Sequence, residues 1–445
     1  MEKWKVGVIV GGSILGYVLL AALLVRLPPL PWVRRKNRFR PPARSPPRAE
    51  RLATSPLLQS GAGGAAADGS VDGDVVMLPG QATGPRGWLA IAHRGGSLIA
   101  PENTLLAFRR AIAAPTCMDV LELDVHESAD GIAVVAHDFD LARITGGPGT
   151  VKDDVFAADP AKLPKLATRI PLHFHRGDED AYVMSDEDLR TVGPQRMCTL
   201  EEVFAAFPAT PLHIELKAPS ATLVASVIDM LRTKFPGRGA ITVLGSAGSA
   251  NIGPLQAASD AAARAYAAAG GGNAQRASAF APPADSASAA SAVACGSPGT
   301  LQPPFATFAS AGQVVKTYLL YYTGLLPLVP LSYDVFDFPL PTAPLKHRGI
   351  RGMDSRGCLA GCVGRLALWL LEAPGLWQHL RRRGVWVFGF VQNLESEFAE
   401  AATEAWPIDG IMTDDPYALR RYLASQAATP PPSSAASRSG STTIR

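Results

Sequence analysis

The sequence predicts an α/β protein, a (β/α)8 TIM barrel with an N-terminal transmembrane helix and a low-complexity insertion. Three observations predict it. Seven short apolar runs between Trp88 and Met412 each suit a buried strand. Helix-like stretches alternate with several of them, which argues for a parallel sheet. Residues 88–423 have room for about eight such units, the number that closes a barrel.

The elements follow in chain order. Val6–Val25 carries no charge. It can span a bilayer as a helix, since about 20 residues cross the hydrocarbon core. A cleaved signal peptide is the other reading, but the run is long for one and no small-x-small cleavage site precedes Arg26. A retained anchor over residues 1–26 is expected. Gly7/Gly11 and Gly12/Gly16 have the small-xxx-small spacing of paired membrane helices, although glycine is common in such spans. Nothing else bears on a homo-oligomer.

Residues 27–86, rich in Pro, Arg, Gly, Ala and Ser, read as a disordered basic linker. Positive charge after the span exceeds that of Lys3 and Lys5 before it. The positive-inside rule then places the barrel in the cytosol. The arginines of this linker either bind anionic lipid headgroups or only set topology. The expected location is a membrane, with the endoplasmic reticulum one option.

The barrel domain is expected over 87–425. Its candidate strands are Trp88–His93, Val120–Val125, Ile132–His137, Leu212–Lys217, Ala240–Leu244, Val385–Phe390 and Gly410–Met412. Helices are expected over Asn103–Ala114, Leu200–Phe207, Ala221–Phe235 and Glu395–Trp406. Residues 255–304 hold few large apolar side chains and read as a disordered insertion, as does the tail 426–445. Val314–Leu331 is apolar but broken by Pro327 and Pro330. It is expected to dip into a membrane at the barrel mouth; a buried strand and helix is the alternative.

The net charge of +3 implies no broad nucleic-acid surface. Five scattered cysteines do not form a disulfide framework and suit a reducing compartment. Cys358 and Cys362 lack the second pair that a zinc site needs.

The chemistry lies between His93 and Glu215. Residues two apart on a strand share a face. Glu122 and Asp124 therefore point into the barrel if Leu121, Leu123 and Val125 pack outward. His213, Glu215 and Lys217 share a face by the same rule. His93, Asp124, His137 and Glu215 fall near strand C-termini, where barrel active sites are built. Converging carboxylates there suit a divalent metal, Ca2+ or Mg2+, rather than zinc. Ion pairs such as Glu215 with Lys217 or Arg94 are the bland alternative. His173-Phe174-His175 alternates like a metal site but reads as surface histidines.

These segments resemble the glycerophosphodiester phosphodiesterase family. The motifs His93-Arg94-Gly95, Pro101-Glu102-Asn103-Thr104, Glu122-x-Asp124, His137-Asp138, Glu215-x-Lys217 and Asp409-Gly410-Ile411-Met412-Thr413-Asp414-Asp415-Pro416 stand in family order. Tyr322–Pro330 is similar to the membrane-bound branch with lysophospholipase D activity. The resemblance implies that Glu122, Asp124 and Glu215 bind the metal, with Glu102 a neighbour. It implies that His93 and His137 are the acid and base, and that Arg94 and Lys217 offset the phosphate charge. The substrate it implies is a lysophospholipid or another glycerophosphodiester, with membrane lipids as partners. Rival readings are hydrolysis of water-soluble diesters, a phosphoinositide-cleaving phospholipase C, and a silent scaffold that kept the fold.

Overall fold

The computed structural model describes residue 38 and residues 88–173, 181–268, 304–340, 371–373, 375–403 and 406–428. The expected anchor, most of the basic linker and the end of the tail lie outside the described residues. Among the described residues no helix is long and apolar enough to cross a membrane.

Eight parallel strands form the barrel. They are β1 (Leu89–Ala92), β2 (Val120–Glu127), β7 (Leu212–Leu216), β8 (Thr242–Gly245), β9 (Ala306–Thr307), β10 (Val335–Pro339), β11 (Trp386–Phe390) and β12 (Gly410–Thr413). They pair in the order β10-β11-β12-β1-β2-β7-β8-β9, and a parallel bridge between Phe308 and Val335 closes the ring. Between β2 and β7 the chain makes an excursion containing β3 (Ala133–Val135), β4 (Arg169–Pro171), β5 (Ala181–Val183) and β6 (Cys198–Thr199).

Strand alternation sorts the side chains into two populations. Leu121, Leu123 and Val125 of β2 point outward into the main core with Leu212, Ile214 and Leu216 of β7. Inside, Leu89, Ile91, Val120, Val243, Phe308, Val335, Trp386 and Phe388 fill the lumen. Glu122 and Asp124 take the inward positions on the same strand, as expected. Asp124 is in register with Glu215, and Glu122 with His213.

Three expectations change. Ile132–His137 was expected among the parallel strands, but β3 runs antiparallel to β2 and lies off the ring. The link from Ser128 to Ile132 is too short for a parallel return, which takes a dozen or more residues. Two barrel strands, β9 and β10, were not among the expected ones. Part of the 255–304 tract is ordered: Ile252–Ala268 is the barrel's fourth helix, with Leu255 and Ser259 buried. The Ser259 hydroxyl donates to the Phe305 carbonyl just before β9. Alanine is the best helix former, so an alanine-rich tract needs little apolar surface to make a barrel helix. Residues 269–303 lie outside the described residues.

The fourth change concerns Val314–Leu331. It forms the helix Ala311–Tyr322 and the turn Leu326–Leu328. Val314, Tyr318 and Tyr321 pack on the main core, while Val315, Leu319, Leu325 and Leu328 are exposed. A helix joining β9 to β10 must run from the C-terminal end of one strand to the N-terminal end of the next. Its exposed leucines at 325 and 328 therefore sit at the end opposite the mouth, and the expected placement at the mouth does not hold.

A close approach limits one lumen position. A side chain at Gly245 would overlap the Phe308 ring. Gly245→Ala should destabilise the barrel by about 1–3 kcal/mol. Its urea midpoint should fall with an unchanged slope; an unchanged midpoint would show that the lumen has slack there.

Candidate functional site

The site starts at the turn after β1. Arg94, Gly95 and Gly96 all have positive φ, at 52°, 81° and 90°. A Cβ at Gly95 would stand 2.7 Å from the Phe108 ring, and one at Gly96 2.6 Å from the Pro416 ring. Glycine is needed at both places because the turn passes against packed neighbours. The turn aims the Arg94 amide at Glu122 Oε2, to which it donates at 2.8 Å.

His93 leaves the end of β1 with its ring in the mouth. Its Nδ1 donates to Asp414 Oδ1 at 2.7 Å, and its Nε2 lies 3.9 Å from Glu122 Oε2. Asp414, just past β12, also accepts from Ser97 Oγ at 2.5 Å and from Asn393 Nδ2 at 2.9 Å. Burial pushes its carboxyl up, but His93 and these donors more than offset that and hold it below the usual range.

Glu122 and Asp124 are both buried on β2. Burial and then the neighbouring Asp124 charge raise Glu122 well above an ordinary glutamate. Asp124 also suffers burial, but Lys217 and Arg94 draw it below the usual range. Asn103 Nδ2 donates to Asp124 Oδ2 at 3.1 Å. The Lys217 ammonium lies between two carboxylates, 3.0 Å from Asp124 Oδ1 and 2.7 Å from Glu215 Oε2.

Arg94 and Glu102 occupy a layer beneath. The Arg94 guanidinium is buried, 3.0 Å from Glu102 Oε1 and 3.5 Å from Asp124 Oδ2. Arg143 donates to both oxygens of Glu102, at 2.7 Å and 2.6 Å. Both Glu102 oxygens thus already accept from guanidiniums, so this carboxylate is less open to a cation than Glu122. His213 lies in the lumen, stacked on Phe308 with centroids 4.7 Å apart. Its Nε2 is 2.8 Å from Asp337 Oδ2, close enough for an ion pair but without hydrogen-bond alignment.

His137 follows β3 and meets the mouth from the excursion. Its Nδ1 donates to Asp138 Oδ1 at 2.7 Å. Burial lowers its pKa, against the raising effect of Asp138, so the ring is neutral near pH 7. His173 Nε2 donates to the same oxygen at 2.9 Å, and Arg143 Nε to Asp138 Oδ2 at 2.5 Å. Burial raises the Asp138 carboxyl, but these three donors pull it well below the usual range. His175 lies outside the described residues.

The structure thus brings His93, Glu122, Asp124, His137, Glu215 and Lys217 to one end of the lumen. The oxygens of Glu122, Asp124 and Glu215 do not close around a point, because Lys217 stands between two of them. Among the described residues, the atoms within 4.8 Å of one another belong to His137, Asp138 and His173. Sequence reasoning assigned no role to Asp414, Asn103, Arg143 or His173. The first two stand inside the motifs quoted above, which was the available signal; Arg143 had none, and the alternation of His173-Phe174-His175 was the signal for His173, which is bonded to Asp138 and is not a plain surface histidine.

A closed parallel barrel thus carries two carboxylate-held imidazoles and a carboxylate set at its strand C-termini, the layout of a TIM barrel. The glycerophosphoryl diester phosphodiesterase family matches residues 93–230. Lysophospholipase D GDPD1 of Mus musculus is 28% identical over 337 residues, covering 75% of this chain and 85% of the relative. Lysophospholipase D GDPD3 of Homo sapiens is 28% identical over 332 residues, covering 75% and 84%. The crystal structure of a glycerophosphodiester phosphodiesterase from Agrobacterium tumefaciens aligns with a TM-score of 0.43 at 18% identity, covering 75% of this chain and 99% of that one. Residues 93–230 thus match the glycerophosphoryl diester phosphodiesterase family and the wider chain is similar to enzymes named lysophospholipase D, which supports a phosphoric diester hydrolase.

Asp414→Asn should leave His93 without its ionised acceptor. Turnover should fall roughly 10–100-fold, as when an orienting partner is lost. Steady-state kinetics on the folded variant checks this; wild-type turnover would mean that Asp414 serves packing alone.

Proposed function

We propose that this protein hydrolyses lysophospholipids to lysophosphatidate and the free headgroup alcohol, using a divalent metal. One observation carries the metal part: two buried carboxylates share a strand face, and burial together with the Asp124 charge raises Glu122 well above an ordinary glutamate. Glu122, Asp124 and Glu215 offer only hard oxygen, which suits Ca2+ or Mg2+. The bound ion would supply charge that makes phosphorus more electrophilic.

The remaining chemistry belongs to the chain. His137, kept neutral by burial, takes the proton from the attacking hydroxyl. His93 gives a proton to the departing alkoxide, its ring held by the Asp414 carboxylate. Lys217 and Arg94 offset phosphate charge, Arg94 from the buried layer. Water completes the reaction, so the diester becomes a phosphomonoester and an alcohol.

The lysophospholipid assignment is supported by the two relatives named lysophospholipase D, which align over 75% of this chain. A single acyl chain leaves a bilayer more readily than two. Each methylene kept in an apolar groove adds about 0.8 kcal/mol. The expected order of kcat/KM in detergent is lysophosphatidylcholine above glycerophosphocholine, with phosphatidylcholine lowest. A clear lead for glycerophosphocholine would replace the lipid by a water-soluble diester.

His93→Ala and His137→Ala should each lower turnover by roughly 10²–10⁴-fold while the protein stays folded. Near-normal turnover in either would remove that histidine from the reaction. Metal binding should release protons, since Glu122 must ionise to coordinate. Apparent affinity for Ca2+ or Mg2+ should thus rise with pH, and calorimetry in buffers of different ionisation enthalpy reads the proton count. Full activity in excess chelator would take the metal out of the mechanism.

A further inference from the structure

The excursion between β2 and β7 delivers a side chain that the reaction above does not use. His173 stands two residues past the end of β4, and its ring faces that of His137. The centroids are 4.8 Å apart and the planes tilted by 50°. Both rings donate to Asp138 Oδ1.

An ionised carboxylate only accepts, so each ring nitrogen that faces it carries hydrogen. His137 therefore keeps its proton on Nδ1 and its lone pair on Nε2, the atom left to accept a proton. A carboxylate on a short side chain can rotate, and rotation would turn this donor away. Here Asp138 is gripped from three sides, by His137, His173 and Arg143.

His173 reaches Asp138 from a fixed platform. The preceding Leu172 is buried with Tyr182 and Met184 against Ala100, Leu106 and Ala107. Arg143 donates to the Pro171 carbonyl at 2.8 Å as well as to Glu102 and Asp138. The β4–β5 hairpin is thereby tied to the segment that begins at Pro101.

We propose that His173 is a positioning residue for the reaction. By occupying Asp138 Oδ1 beside His137, it fixes the carboxylate's rotation and, through it, the ring plane and tautomer of His137. Use of the same three residues as a metal site fits less well. One nitrogen of each ring already donates to Asp138, and the Arg143 cation holds its other oxygen. The inference rests on the reading of His137 as proton acceptor.

The test uses the full chain with the diester it turns over best, and three variants: His173→Phe, His173→Gln and His137→Ala. Phenylalanine keeps a ring but no donor, whereas the glutamine amide can donate to the same oxygen. His173→Phe should lower kcat roughly 10–100-fold, the usual loss when an orienting partner goes, with KM unchanged. His173→Gln should recover most of that loss, although its ring is gone and its packing is the more disturbed. Circular dichroism confirms that both are folded.

Wild-type kcat in His173→Phe would overturn the inference, as would equal losses in the Phe and Gln variants. A raised divalent-ion requirement in His173→Phe would overturn it too, by making His173 a metal ligand. Full activity in His137→Ala would overturn the proton-acceptor reading and this inference with it. An inactive His137→Ala beside a wild-type His173→Phe would sink the inference alone.

Discussion

Negative charge buried at one end of the lumen is the constraint from which the rest of the site follows. Glu122 and Asp124 are forced inward because Leu121, Leu123 and Val125 must face the helices. Burying an unpaired carboxylate costs several kcal/mol, so each needs a partner or a proton. Asp124 has Lys217, Arg94 and Asn103. Glu102 has Arg94 and Arg143. Asp414 and Asp138 each take an imidazole. Glu122 accepts from the Arg94 amide and has His93 Nε2 3.9 Å away, and its carboxyl stays well above the usual range.

The excursion between β2 and β7 serves the same constraint. Arg143 belongs to it and reaches Glu102, Asp138 and the Pro171 carbonyl together. One guanidinium thus fixes the excursion against the barrel and neutralises two carboxylates. The helix Ile252–Ala268, by contrast, leads away from the acid–base groups toward the N-terminal ends of the strands.

The barrel was legible because buried parallel strands are short apolar runs, and six of the seven runs chosen are barrel strands. β9 escaped because only two residues pair. β10 escaped because Asp337 interrupts its apolar run and Pro339 ends it, and both residue types are depleted in strands. β3 misled because apolarity does not report direction; only the length of the preceding turn does. Within the site, period-two spacing placed Glu122 and Asp124 correctly. Asp414, Arg143 and His173 were not legible in the same way. Each acts on a partner across a tertiary contact, and His173 looks like any polar loop residue until the hairpin docks.

The His93–Asp414 hydrogen bond joins residues 321 positions apart. It sits where the first barrel strand meets the last. A nascent chain that has passed Lys217 but not yet β12 already carries Glu122, Asp124, Glu215 and both imidazoles. It lacks the acceptor that orients one of those rings and the strand that shuts the lumen. The orientation of that ring therefore waits until the two ends of the barrel have met.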